Sequence, residues 1–139
     1  MDVEDICFLS ASEIAAAVRE KELSPVEMTR AVLERIDRLN PRLNAFCTMM
    51  SGAAIDAAKL AEEQVNRGET LGDLHGVPVS VKDNLYIQGE RTTFGSQLLE
   101  HQVTDADAPS IERLKKAGAI LIGRTNSPEF GWKGVCDNL

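Results

Sequence analysis

Aromatic residues are scarce, at 4 percent of the chain, so a core has to be assembled from alanine, valine, isoleucine and leucine. Cysteine is sparse as well. Cys7, Cys47 and Cys136 form no C-x-x-C pair and have no metal-ligand spacing with the two histidines, His75 and His101, which leaves no reason to expect a metal centre or a disulfide framework. An odd number of scattered thiols fits a reducing compartment, and a cytoplasmic location is expected. Positive charge is short too: 15 Lys and Arg stand against 22 Asp and Glu, for a net charge of −7. Phosphate binding needs concentrated cations, so a nucleic-acid partner is not expected. No apolar run approaches the roughly 20 residues of a membrane span, and the start MDVEDICFLSASE lacks the basic and apolar regions of a signal peptide.

What is present is patterning. The 139 residues suffice for one domain with a modest core. Residues 1–70 read as a helical layer. Ser10 and Glu13 have capping-box spacing ahead of Ile14-Ala-Ala-Ala-Val18. Ser24, Pro25 and Glu27 mark a second helix start. Met28, Val32, Ile36 and Leu39 then make one apolar stripe, and Asn40-Pro41 is expected to end that helix. A third helix is predicted over 52–67 with the stripe Ala54, Ala58, Ala61 and Val65 and with Gly68 as its C-cap.

Residues 71–139 read as a βαβ segment. His75 to Asp83 alternates with period two, placing Val77, Val79 and Val81 on one face and Pro78, Ser80 and Lys82 on the other. Residues 84–106 are polar and turn-rich, which indicates a functional loop or short elements without strong periodicity. Asp107 is predicted to cap a helix over 108–117 that Gly118 closes, and Ala119–Gly123 reads as a buried strand. Strand 77–82, helix and strand 119–123 predict a parallel pair. The expected class is α/β, with N-terminal helices packed on the start of a mixed β-sheet.

Lys82 is the residue best placed for chemistry. It ends an apolar strand, and open α/β sheets bind ligands beyond the C-terminal ends of their strands. An amine partly removed from water is easier to deprotonate and can then act as a general base. Spacing alone does not establish this, because most strand-end lysines are solvated, and Asp83 is at hand to pair with the ammonium.

Three stretches narrow the choice. Leu74-His-Gly-Val-Pro-Val-Ser-Val-Lys-Asp-Asn84, Thr92-Thr-Phe-Gly-Ser96 and Ala106–Phe130, with its Gly-Arg-Thr-Asn-Ser-Pro-Glu-Phe end, resemble in order and spacing the motifs of the amidase signature family. Leu23-Ser-Pro-Val-Glu27 and Leu43-Asn-Ala-Phe46 are similar in kind, so the resemblance covers nearly the whole chain. It implies a partial amidase-signature fold and an amide hydrolase working through a Ser–cisSer–Lys triad, without metal or organic cofactor. By the resemblance Lys82 is the base, Gly131 and Trp132 line the acyl side of a small-molecule amide pocket, and the complete chain forms a homodimer in many such hydrolases. The bridging and nucleophilic serines belong to a glycine-rich motif further on. None of the eight serines here lies in such a context, so the 139 residues alone are expected to be inactive. Arg124 stands where the family has lysine, but that position is not the triad lysine.

Two other readings compete. One is the amidase subunit of an aminoacyl-tRNA amidotransferase, although Ser127-Pro-Glu-Phe-Gly-Trp132 departs from the Met-Asp-Glu-Phe-Ala-Met typical of that subunit. The other is a non-catalytic interaction module, whose difficulty is a sheet with open edges. Ser80, two residues from Lys82, lacks the glycine-rich turn a nucleophile needs. Thr125 and Asn126 read as turn and cap residues, and His75 as structural.

Overall fold

A computed structural model of the chain describes residues 3–136; Met1, Asp2 and Asp137–Leu139 lie outside the described residues. The elements run α1 (Val3–Ile6), α2 (Ala11–Arg19), α3 (Pro25–Leu43), β1 (Phe46–Met49), α4 (Ser51–Arg67), β2 (Pro78–Lys82), α5 (Pro109–Lys116) and β3 (Ile120–Thr125), with single 3-10 turns at Gln97–Leu99 and Glu129–Gly131.

Local chemistry sets the helix starts. The Ser10 hydroxyl accepts the Glu13 N–H, and the Ser10 N–H donates to Glu13 Oε2 at 2.7 Å, closing the capping box. The Ser24 hydroxyl accepts the Val26 and Glu27 N–H groups and donates to Glu62 on α4, which ties the two helices at that end. The stripe Ala54, Ala58, Ala61 and Val65 is buried, and Gly68 closes α4 at φ 70°. Small side chains let α4 lie close to its neighbours.

The helix does not stop at Asn40-Pro41. It runs to Leu43, and Asn44 in the left-handed region closes it with a bond to the Asn40 carbonyl. Pro41 removes one N–H from the last turn, but Asp37, whose carbonyl loses that donor, is exposed to water. Asn40 recovers bonding by exchanging two side-chain hydrogen bonds with the Phe46 backbone.

The expected parallel pair is present: β2 and β3 run parallel, with Pro78 opposite Ile120 and Lys82 opposite Thr125. The second strand is longer than predicted. β1, which falls inside the stretch read as purely helical, pairs antiparallel with the other edge of β3. The order β1-β3-β2 makes β3 central, and that explains its continuous burial. Ile120 and Ile122 pack with Leu33 and the α4 alanines, whereas Leu121 packs with Val81, Ile87 and Ile111 of α5 on the opposite face.

Asp107 does not cap α5; the cap position is Ala108. The Asp107 carboxylate instead accepts the Gln88 N–H at 2.7 Å and pairs with Lys115 at 2.6 Å. Burial pushes its pKa up, but the bonds from Lys115 and Gln88 outweigh that and leave it below the ordinary value. The Asp107 side chain thus pins the loop to the last turn of the helix. The Gln97–Leu99 turn and two isolated bridges, Gln88 with Thr104 and Arg91 with Val103, are the short elements of that loop.

His75 is buried, and its Nε2 lies 3.0 Å from the Ala61 carbonyl. A carbonyl only accepts, so Nε2 carries the proton. Gly118, at φ 84°, passes so close that a Cβ there would meet the His75 Cα at 2.8 Å. Gly118→Ala is expected to cost about 2–4 kcal/mol, combining left-handed strain with overpacking. A urea unfolding series would check this, and a loss below about 1 kcal/mol at unchanged slope would contradict it.

Candidate active site

Two parallel strands end side by side, at Lys82 and Thr125, and β1 begins there because Phe46 pairs with Thr125. The three sequence stretches singled out above meet at this edge. Asp83 holds two of them. Its carboxylate accepts Arg124 Nε at 2.7 Å on one oxygen and the Thr93 hydroxyl and N–H at 2.5 and 3.2 Å on the other. Its carbonyl accepts the Phe94 N–H. Ser96 donates its hydroxyl to Glu129 at 2.8 Å, and the Phe130 N–H donates to the Phe94 carbonyl. The loop 92–96 is therefore bonded at one end to the β2 terminus and at the other to the segment after β3.

Phe94 and Phe130 both sit in the left-handed region, at φ 54° and 51°. Aromatic residues rarely adopt it, and such strain concentrates at functional sites. Their rings lie 6.4 Å apart, and Tyr86 meets Phe94 edge-on at 5.6 Å.

Arg124 is fully buried. Besides Asp83 it donates through Nη2 to the Leu85 carbonyl at 2.7 Å. Its Nη1 has no partner among the described residues. Sequence reasoning missed this pair. The signal available was a guanidinium inside the apolar run Ala-Ile-Leu-Ile-Gly-Arg, because a buried charge requires a counter-ion.

A β-bulge makes the pairing possible. Val79 faces Leu121 and Ser80 faces Gly123, so Ile122 is an extra residue in β3. One extra residue reverses the facing of everything after it. It brings Arg124 opposite Val81, on the α5 side, and places Thr125 opposite Lys82. Strand alternation puts Asp83 on the Arg124 side and Lys82 on the other.

Lys82 itself is half-buried. Its amine forms no hydrogen bond or ion pair among the described residues, and the carboxylate next to it is committed to Arg124. A cleft of about 990 Å³ opens on the Asp83 side, lined by Asn44, Cys47, Thr93, Ser96, Glu129 and Trp132, among others. Trp132 is 75% exposed. Gly131 has φ 68° and turns the chain between Phe130 and Trp132; a Cβ there would meet Asn84 Nδ2 at 3.3 Å. Neither Lys82 nor Gly131 lines the cleft. Ser80 is exposed on the open edge of β2. Thr125 is a strand residue, and Asn126 accepts the Ser127 N–H.

Cys47, the extra residue of β1, donates its thiol to the Arg124 carbonyl at 3.4 Å. Burial pushes this thiol above its ordinary pKa, and the Asp83 charge pushes the same way. It is therefore a weak nucleophile at neutral pH, since the thiolate is the reactive form. No cluster of metal-ligating side chains occurs among the described residues, and no helix among them is long and apolar enough to cross a membrane.

Comparison with known proteins shows the family. Residues 27–139 match the family model described as Amidase. The chain is 43% identical over 129 residues to an indoleacetamide hydrolase of Bradyrhizobium diazoefficiens, covering 93% of this chain and 25% of that protein. It is 38% identical over 134 residues to one subunit of the glutamyl-tRNA(Gln) amidotransferase of Carboxydothermus hydrogenoformans, covering 96% of this chain and 28% of that protein. A bacterial aryl acylamidase assigned to the amidase signature enzymes superposes with a TM-score of 0.90 at 28% identity, over 96% of this chain and 28% of its own. The chain thus spans little more than a quarter of the length of these proteins.

Proposed function

The chain belongs to the amidase signature family, and from that premise we propose that it supplies the general base of a serine amide hydrolase whose remaining catalytic groups lie in the rest of a longer protein. The observation that carries this reading is the position of Lys82. Its amine stands at the C-terminal end of a strand, where α/β sheets place ligands. It is not engaged by Asp83, the next residue, on which the three motifs converge.

In this reading the neutral Lys82 amine takes a proton from a bridging serine, which takes one from the nucleophilic serine. The nucleophile adds to the amide carbonyl, the C–N bond breaks, and ammonia or an amine leaves with a proton returned along the same relay. Water then hydrolyses the acyl ester. Backbone N–H groups of the glycine-rich motif stabilise the oxyanion. Gly131 and Trp132 stand on the acyl side of the substrate, the glycine turning the chain and the indole offering an apolar wall. The 139 residues contain no serine in the required context and have no triad activity by themselves.

We favour a stand-alone hydrolase of small carboxamides, because Ser127-Pro-Glu-Phe-Gly-Trp132 carries a bulky apolar residue at the pocket. The reading as part of an amidotransferase has support in the relatives of that name. The full-length enzyme, assayed against aryl and alkyl carboxamides and against glutamine, separates the two. Hydrolysis of apolar carboxamides without a partner protein is expected. Activity confined to glutamine in a co-purifying complex would favour the amidotransferase, and a continuation lacking a glycine-rich serine motif would end the enzymatic reading.

A further inference from the structure

We propose that Arg124 is a positioning residue of this site: it holds the Asp83 carboxylate on the α5 side of β2 and so keeps it from pairing with the amine of Lys82. The inference rests on Lys82 acting as the base, and it concerns a residue outside the triad.

Three observations lead to it. Lys82 and Asp83 are adjacent at a strand end, so a carboxylate released from its partners lies close to the amine, and an ion pair between them would favour the protonated, inactive form. Asp83 is 3% exposed and Arg124 is fully buried, so in that enclosed setting each neutralises the other. The contact is also a built one. The bulge at Ile122 brings Arg124 onto the Asp83 face, the Leu85 carbonyl fixes the far side of the guanidinium at 2.7 Å, and Thr93 occupies the second carboxylate oxygen. Both oxygens are thus bonded on the α5 side, away from the Lys82 face.

The surrounding charges do not replace Arg124. On the Asp83 side the cleft also carries Cys47, Arg91, Glu100, Glu129 and Lys133. Arg91 donates to the Glu100 carbonyl and Glu129 accepts from Ser96, while Asp83 takes its bonds from Arg124 and Thr93. Opposite Lys82 on β3 stands Thr125, and two residues before it on its own face is Ser80, both uncharged.

The test is the pH dependence of kcat/KM for the full-length enzyme, with opposite shifts expected from the two partners. Arg124→Met leaves Asp83 uncompensated beside Lys82 and moves the acidic limb up by roughly half to one pH unit. Asp83→Asn leaves an uncompensated guanidinium and moves the limb down by a similar amount. The double variant D83N/R124M returns the limb to its original position, and R124K, which keeps the charge, leaves it there. A pair that only held the fold would lower activity without opposite shifts. Limbs that move in the same direction, or that stay in place, overturn the proposal. If Arg124→Met does not fold, Asp83→Asn and the double variant decide it alone. Lys82→Ala separates the two levels: full activity in that variant would refute the base assignment itself, whereas loss of activity there with unmoved limbs elsewhere would refute only the role of Arg124.

Discussion

Lys82→Ala in the full-length enzyme is expected to lower kcat/KM for an amide substrate by about 10²–10⁴-fold, the range in which a positioned general base contributes. The fold should survive the change. Lys82 ends an edge strand, is half-buried, and forms no ion pair or hydrogen bond through its amine among the described residues. Truncation therefore strands no buried partner, and a stability change within about 0.5 kcal/mol is expected, as for a surface substitution. Steady-state kinetics beside a thermal melt checks both halves. A rate loss that tracks a collapsed melting temperature would reduce Lys82 to a structural residue.

The largest stability effect is expected one residue further on. Asp83→Ala removes the counter-ion of a guanidinium that is fully buried, and breaking a buried pair by deleting one member costs about 3–5 kcal/mol. The same substitution frees the Thr93 hydroxyl and N–H and unties the loop from the β2 end. The surface pairs are a useful contrast. Lys59 with Asp56 and Arg67 with Glu63 are well exposed on α4, where such pairs contribute about 0–1 kcal/mol. Urea unfolding of Asp83→Ala beside Asp56→Ala is the direct comparison. Equal losses would show that the Arg124–Asp83 contact is not a committed buried pair.

The two levels of the molecule differed in how readable they were. Periodic elements were legible because their signals are local. The Ser10 capping box, the α4 alanine stripe and the valine strand ending at Lys82 each follow from residues within a few positions of one another. β1 was not legible: Phe46-Cys-Thr-Met is four residues long, too short for alternation to register, and it becomes a strand because β3 offers an edge. The helix ran past Asn40-Pro41 because Asn40 bonds with the Phe46 backbone, an exchange no propensity encodes. Asp107 looked like a cap but had better partners in Gln88 and Lys115.

The site divided along the same line. Lys82 could be singled out from its strand and from the family resemblance. The alternative that Asp83 would pair with it could not be resolved from sequence, because the answer depends on a one-residue bulge in another strand. That bulge puts Arg124 against Asp83 and decides which of two adjacent charges is left unpaired. Phe94 and Phe130 escaped notice for a similar reason, since their left-handed backbones arise from the way two loops bond to each other.

The most direct measurement is kcat/KM for Lys82→Arg in the full-length enzyme. Arginine keeps the positive charge and much of the length, but it does not give up its proton in proteins. If the amine works as a base, this variant is as inactive as the alanine variant across the pH range. Activity near that of the unsubstituted enzyme would show that a cation is all the site needs, and would contradict the proton relay on which the account rests.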